Sequence, residues 1–279
     1  MSVINTNVSG LIGLNNLRLT NLGLRTSLAR LSSGLRINWA ADDPSGLAIA
    51  KGMEAQIGGI RTAVQNGEDG INLIHTADGA LEETQDILMR MRDLAVRAAN
   101  QATLTTDDLD RLNDEFQTLV SEITRKSLAV TFNTKYLFSG GFDTNYAGTQ
   151  VLQIGPDNGT NFRISVQISR VDGATLGVTD DNLLSVGAAQ AAISAVNDAI
   201  NRVSDVRAYL GIQERRLNHI INDLKAEDIN ISAAKSRIYD ADMAVEISEF
   251  TRLQILQQTG TAILAQANAQ PQSVLQLLR

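Results

Sequence analysis

The stretch Ile193–Ile238, ISAVNDAINRVSDVRAYLGIQERRLNHIINDLKAEDINISAAKSRI, decides the fold because its apolar residues recur every seven positions. The uninterrupted series is Val196, Val203, Leu210, Leu217, Leu224, Ile231 and Ile238. A half-polar series beginning at Ile193 runs beside it, and this combination is typical of a helix in a bundle or coiled coil. At 1.5 Å per residue the helix would extend roughly 68 Å, so we expect an elongated molecule.

In other stretches the apolar residues recur in alternating steps of three and four residues, which add up to the same period of seven. One runs from Met53 to Ala98 and predicts a single long helix that ends near Asn100. A further helix should begin after Thr105 or Thr106, because acidic residues favoured in a first turn follow this pair.

Two more stripes lie near the beginning and the end of the sequence. The first contains Leu14, Leu17, Leu24, Leu28, Leu31 and Leu35, with Asn21 at the remaining step. The second contains Ile247, Phe250, Leu253, Leu256, Gly260, Ile263 and Ala267. Both predict amphipathic helices, and we expect the two helices to pair antiparallel.

Between about residues 131 and 186 the pattern changes to strand-like alternation. Apolar residues alternate before and after the turn sequence GPDNG at 155–159, which is typical of a β-hairpin. The sequence therefore predicts a mainly α fold, an elongated antiparallel helical bundle or coiled coil with a small central β-hairpin region.

The composition excludes several classes of function. The formal net charge is −7 and Lys and Arg are not clustered, so no nucleic-acid partner is expected. There is no Cys, which excludes disulfides and thiolate chemistry. No window is apolar enough to span a membrane, and the N-terminal sequence lacks the pattern of a cleaved signal peptide.

The sequence finishes in VLQLLR, whereas soluble chains usually finish in a polar tail. Val274, Leu275 and Leu278 are its apolar members, with Leu277 beside them. We expect another copy of the molecule to cover this stretch in the working state.

The few candidate chemical groups favour structural roles. Asp43 before Pro44 is a helix-start pattern, and the neighbouring Asp42 points elsewhere. Trp39 is expected to act as a packing anchor. His75 and His219 lie on separate predicted helices, so we expect neither catalytic residues nor a metal or cofactor site.

Several stretches together resemble the bacterial flagellins. They are RLSSGLRIN (30–38), DDPSGLAIA (42–50), NGEDGINLIHTADGAL (66–81), RDLAVRAAN (92–100) and the whole of residues 236–279. The resemblance covers roughly residues 1–140 and 187–279. Only about 45 residues separate its two parts, so it implies a short flagellin without outer variable domains.

The resemblance implies a structural subunit, not an enzyme, that polymerises into the flagellar filament for motility. Residues 1–42 and 238–279 would form the inner coiled coil that lines the channel, and residues 43–237 the helical bundle with its hairpin. The terminal helices would become ordered on assembly. The apolar residues of the terminal stripes, with Val274, Leu275 and Leu278, would form the assembly interface.

The resemblance also implies partners and a location. The chain would bind copies of itself, an export chaperone at its C-terminal helices, and the hook-associated and cap proteins. It would leave the cell through the flagellar secretion apparatus without a cleaved signal peptide. Arg90, Leu94 and Glu115 match a surface that the innate immune receptor for flagellin recognises.

Three other functions are alternatives to the filament subunit. A hook–filament junction protein shares the terminal coiled-coil pattern, although the Gln-rich C-terminal stretch favours a flagellin. A cytoplasmic signalling coiled coil is less favoured, because that class of protein does not explain the predicted β-hairpin. An enzyme has the least support, because no nucleophile and base are paired in the sequence.

Overall fold

The computed structural model describes residues 7–138 and 149–277, and long helices dominate it. The helices are α1 (Val8–Ser33), α2 (Pro44–Ala98), α3 (Thr106–Ala129), α4 (Gly173–Leu176), α5 (Val186–Tyr239) and α6 (Met243–Leu277). The strands are β1 (Thr131–Phe132), β2 (Lys135–Tyr136), β3 (Thr149–Gln153) and β4 (Arg163–Gln167). The predicted fold class, mainly α with a small β-hairpin region, is confirmed.

The helices begin where the sequence predicts. The backbone N–H of Gly46 donates to Asp43 Oδ1 at 2.8 Å, which caps α2. Thr105 caps α3 in a capping box, because its hydroxyl accepts from the backbone of Asp108 while the Asp108 carboxylate accepts from the backbone of Thr105. Helix α2 runs unbroken for 55 residues, as its stripe predicts.

The contacts divide the chain into two compact units. One is Ile57–Asp228, and the other draws on both ends of the chain, up to Gln56 and from Ile229. The inner segments predicted at 1–42 and 238–279 stay a prediction, because they refer to the filament.

In Ile57–Asp228, helices α2 and α5 run antiparallel. Arg207 of α5 donates from Nε to Asp78 Oδ1 of α2 at 2.8 Å. Arg61, which is earlier in α2, donates to Asp228, which is later in α5, at 3.1 Å. The heptad series of α5 is buried from Val196 to Leu224. The seven-residue period therefore identified the face of α5 that is buried in the core of this unit.

Helix α3 packs antiparallel to α2 and adds the aromatic centre of the core. Arg90 and Lys126 connect the two helices through ion pairs with Glu115 and Glu83. The Phe116 side chain is 0% exposed. Amide side chains of α3 also bind the chain that leads into α5: Gln117 donates to the Asp181 carbonyl at 2.7 Å.

The predicted hairpin is the antiparallel pair β3 and β4, with Thr149 opposite Gln167 and Gln153 opposite Arg163. Ile164 and Val166 are buried, so one face of the hairpin belongs to the core of Ile57–Asp228. Asn66 of α2 fixes the hairpin by donating to the Gln153 carbonyl at 3.0 Å.

A second hairpin, formed by β1 and β2, was not predicted. Its two turn residues, Asn133 and Thr134, have φ values of 47° and 67°. Asn enters the left-handed region readily, but Thr does so rarely, and the usual second residue of such a turn is Gly. Only Asn133, the first of the two turn residues, therefore matches the usual sequence of such a turn.

Candidate assembly surface

Helices α1 and α6 pair antiparallel, as the two terminal stripes predict. Asn7 at the start of α1 donates from Nδ2 to the Ala267 carbonyl at 2.9 Å. In the middle, Gln257 Nε2 donates to Asn21 Oδ1 at 2.8 Å. Near the end of α1, Ser27 donates to the Glu246 carbonyl at 3.4 Å. The polar step at Asn21 thus holds the register of the pair.

The two helices approach closely where glycine faces leucine. A Cβ atom added to Gly23 would meet both methyl groups of Leu253 at 3.4 Å, and one added to Gly260 would meet Leu17 at the same distance. Leu253 is 8% exposed, and between positions 243 and 269 it is the one hydrophobic residue of α6 that is buried. The pair therefore has a narrow core in which Leu253 is central.

An ion pair closes the C-terminal end of α1. Arg30 Nη1 lies 3.8 Å from Glu246 Oε2, and both side chains are partly buried. Arg30 Nε is buried and has no hydrogen-bond partner among residues 7–138 and 149–277. After Gly34, whose φ of 72° ends α1, Leu35 and Asp240 form a β-bridge that brings the two chain segments together again.

Helix α1 carries a second apolar stripe on the side opposite α6. We call this set the outer stripe; its members are Val8, Leu11, Ile12, Leu19 and Leu22. Each of these side chains is exposed to 50–58%. Positions 8, 12, 15, 19 and 22 follow steps of four, three, four and three, with Asn15 at the only polar step. A helix that is apolar on both sides is typically buried on both sides.

Helix α6 is also apolar beyond its contact with α1. Val245, Ile247, Ile255, Leu256 and Ile263 are exposed. The charged pair Glu249 and Arg252 gives the helix a polar patch, where the hydrogen bond from Arg252 lowers the pKa of Glu249. Large apolar side chains are therefore exposed along α6 from position 245 to position 263.

The predicted interface residues divide between the two kinds of surface. Leu17, Leu24, Leu31, Leu35 and Phe250 are half-buried, and Leu253 is buried. Leu14, Leu28, Leu256 and Ile263 are exposed. The structure describes only the helical backbone for Val274 and Leu275, and Leu278 lies outside the described residues. The outer stripe was missed because the first stripe already accounted for an amphipathic helix; its own four-and-three spacing was the available signal.

The connection between α1 and α2 corrects one expectation. Trp39 was predicted to be a packing anchor, but its side chain is 71% exposed. The residue that packs in this connection is Ile37, which is 1% exposed. Ile37 lies before the turn, whereas Trp39 begins it, because the Asp42 N–H donates to the Trp39 carbonyl at 3.0 Å.

The surface suggested by Arg90, Leu94 and Glu115 is present only in part. Arg90 donates to Glu115 Oε1 from Nε at 2.9 Å and from Nη2 at 2.6 Å, and both residues are exposed. Leu94 is 2% exposed and belongs to the core. Leu94 is therefore not accessible in this structure, and the receptor surface as a whole stays a prediction.

The described residues offer little other chemistry. Within 7–138 and 149–277, no group of three or more His, Asp or Glu side chains is arranged to hold a metal ion. No described helix is long and apolar enough to cross a membrane. His75 Nε2 and Glu214 Oε1 are hydrogen-bonded at 3.1 Å on the surface. The exposed apolar surfaces of α1 and α6 are thus the main feature to explain.

Comparisons with known proteins identify relatives along nearly the whole chain. Residues 4–143 match the bacterial flagellin N-terminal helical region, and residues 193–278 match the bacterial flagellin C-terminal helical region. The chain is 43% identical to a flagellin of Halalkalibacterium halodurans over 279 residues, which covers 99% of this chain and 100% of the relative. It is 43% identical to a flagellin of Bacillus subtilis over 302 residues, with 99% of each chain covered. The solved structure of Bacillus cereus flagellin covers 61% of this chain and 94% of that chain, with 30% identity and a TM-score of 0.49.

Proposed function

Since the chain belongs to the bacterial flagellin family and is therefore a structural subunit of the flagellar filament, not an enzyme, we propose that α1 and α6 form its main contact with neighbouring copies. The observation that carries the proposal is the outer stripe of α1. Its regular four-and-three spacing is the spacing by which one helix packs on another, and no described residue covers it.

The contact is heterologous in this proposal. The outer stripe and the exposed side of α6 are different surfaces, so one copy would present its stripe to a different surface of the next. Heterologous contacts that do not close into a ring generate open helical polymers. Leu14, Leu28, Leu256 and Ile263 would flank the contact, and Val274, Leu275 and Leu278 would extend it.

The size of the apolar surface supports assembly. Full burial of a Leu or Ile side chain contributes about 1.5–3 kcal/mol. The five members of the outer stripe are already about half covered, so their further burial contributes several kcal/mol for each copy. The exposed residues of α6 add to this amount, and the total offsets the loss of motional freedom when a copy joins the polymer.

Replacing Leu19 by alanine tests the contact directly. We expect the critical concentration for elongation of filament seeds to rise about tenfold, which corresponds to about 1.4 kcal/mol of lost burial. Sedimentation and electron microscopy of seeded assembly measure this change. Leu184→Ala is the matched control, because Leu184 is also half exposed but lies in Ile57–Asp228. An equal effect of both substitutions would contradict the proposal.

We further propose that α1 and α6 become fully ordered only on assembly. Their core in a single copy is narrow, and helical stability depends mainly on packing of apolar faces. Hydrogen–deuterium exchange should therefore be faster in α1 and α6 than in α2, α3 and α5 of the monomer, and slow in all of them in the filament. Equal protection of all five helices in the monomer would contradict this part of the proposal.

The same surfaces support proposals about other partners. An export chaperone would cover the exposed apolar side of α6 before assembly, and the hook-associated and cap proteins would contact the same helices at the ends of the filament. Passage through the flagellar secretion apparatus without a cleaved signal peptide belongs to this proposal. The exposed pair Arg90 and Glu115 would be the part of the surface that an innate immune receptor contacts.

A further inference from the structure

The connection between α1 and α2 presents a large apolar side chain to solvent. Trp39 is the single tryptophan of the chain, and its side chain is 71% exposed. Burial of an indole removes a large apolar area from water, and tryptophan is among the residues enriched at the energetic centres of protein interfaces. A fixed, exposed indole therefore needs an explanation beyond the fold of one copy.

The backbone holds Trp39 firmly in this position. The Asp42 carboxylate accepts from the backbone N–H groups of Asn38 at 3.0 Å and Trp39 at 2.9 Å through the same oxygen, Oδ2. The Asp42 N–H in turn donates to the Trp39 carbonyl at 3.0 Å. Ile37, two residues earlier, is buried and anchors the turn. The turn thus holds the backbone that carries the indole, so little backbone freedom is left to lose on binding.

A groove of about 170 Å³ lies beside the indole, between the turn and α1. Its lining residues are Arg25, Thr26, Ala29, Asn38, Trp39 and Asp42. Thr26 and Ala29 continue the outer stripe, because they follow Leu22 by steps of four and three. Trp39 therefore stands at the end of the outer stripe and extends the same surface.

We propose that Trp39 is an anchor between subunits: a second copy of this chain, the one that covers the outer stripe, also covers the indole and fills the groove beside it. This inference rests on the proposed function, because the occupant is the neighbouring copy in the filament. The continuity of the indole with the outer stripe selects that occupant. A copy that lies along positions 8 to 22 and continues past position 29 meets Trp39 next.

The single tryptophan makes the inference measurable without a label. In the monomer, the emission spectrum should be that of an exposed indole, and acrylamide should quench it efficiently. In seeded filaments of the full chain, the emission maximum should shift to shorter wavelength and the quenching constant should fall several-fold. Filaments in which the indole is quenched as efficiently as in the monomer would overturn the inference.

Substitution provides a second, independent readout. We expect Trp39→Ala to raise the critical concentration at least about 30-fold, which corresponds to about 2 kcal/mol at 1.4 kcal/mol per tenfold change. Trp39→Phe should restore part of the loss. Because Trp39 is exposed in the monomer, the helical content of both variants should match that of the unmodified chain.

Val151→Ala controls for the loss of an exposed apolar side chain, since Val151 is 60% exposed on β3. This variant should change the critical concentration by no more than about twofold. A rise equal to that of Trp39→Ala would overturn the inference.

The experiments separate this inference from the proposed function. If Leu19→Ala weakens assembly while the indole remains accessible in the filament, only the inference about Trp39 fails. If Leu19→Ala has no effect on assembly, the proposed contact of α1 fails, and the inference about its extension fails with it.

Discussion

Replacing Phe116 by alanine is expected to lower the free energy of unfolding of Ile57–Asp228 by about 3–5 kcal/mol. Phe116 is fully buried in α3, where it packs in the core shared by α2, α3 and α5. The loss has two parts, because the substitution removes the transfer free energy of the ring and leaves a cavity.

The surroundings cannot close over that cavity easily. Asn113 and Gln117, on either side of Phe116, hold the chain before α5 against α3: Asn113 Oδ1 accepts from Leu183 N–H at 3.0 Å, and Gln117 donates to the Asp181 carbonyl. These bonds fix the wall of the core beside the missing ring. The expected loss therefore lies well above that of a site that can collapse.

Urea unfolding of the monomer, followed by circular dichroism, measures this loss. Leu128→Ala is the matched control, because Leu128 lies on the same helix but is exposed, and its effect should stay within about 0.5 kcal/mol. If Phe116→Ala costs no more than Leu128→Ala, the assignment of Phe116 as the centre of this core is wrong.

Replacing Leu253 by aspartate is expected to separate α1 from α6 and to abolish seeded filament growth. Leu253 contacts the backbone of α1 at Gly23, so its replacement would place a carboxylate in the narrow core of the pair. Burying an unpaired charge costs several kcal/mol. The helices would therefore part, so that the carboxylate reaches water.

The chain contains no Cys, which allows the separation to be measured with two introduced labels. Ser9→Cys on α1 and Gln266→Cys on α6 provide exposed attachment sites near one end of the pair. A spin-label distance between them should lengthen and broaden in Leu253→Asp. Unfolding of Ile57–Asp228, measured by the helical signal in urea, should remain unchanged.

Gln254→Asp is the control for charge, because it places the same carboxylate at an exposed neighbouring position. The distance in this variant should match that of the unmodified chain. An unchanged distance in Leu253→Asp would show that the pairing of α1 and α6 does not depend on the contact between Leu253 and Gly23.

The sequence was most informative where one physical signal dominated. The series from Val196 to Leu224 is buried as its period predicts, because a helix of this length can satisfy a seven-residue repeat only along one face. The starts of α2 and α3 were also predictable, since Asp43 and Thr105 bind their own helix ends and need no distant partner.

The features that were not predicted concern residues whose environment depends on other elements. Leu94 lies on a helix surrounded by partners on two sides, so its burial follows from the position of α3 and α5 and not from its own stripe. Trp39 is exposed although Ile37 is buried, because Trp39 begins the turn that the Asp42 N–H closes on its carbonyl. The outer stripe shows its spacing in the sequence, but it was missed because the stripe that pairs with α6 already accounted for an amphipathic helix.

The antiparallel pairing of α1 with α6 has a consequence for the timing of synthesis. The Asn7 side chain and the Ala267 carbonyl are hydrogen-bonded although 260 positions separate them. A ribosome adds about 5–20 residues per second, so α1 is made on the order of tens of seconds before its partner. Ile57–Asp228 is synthesised within that interval and is complete at its end, whereas the paired terminal surface does not yet exist. A chain still on the ribosome therefore lacks the surface through which finished copies would join.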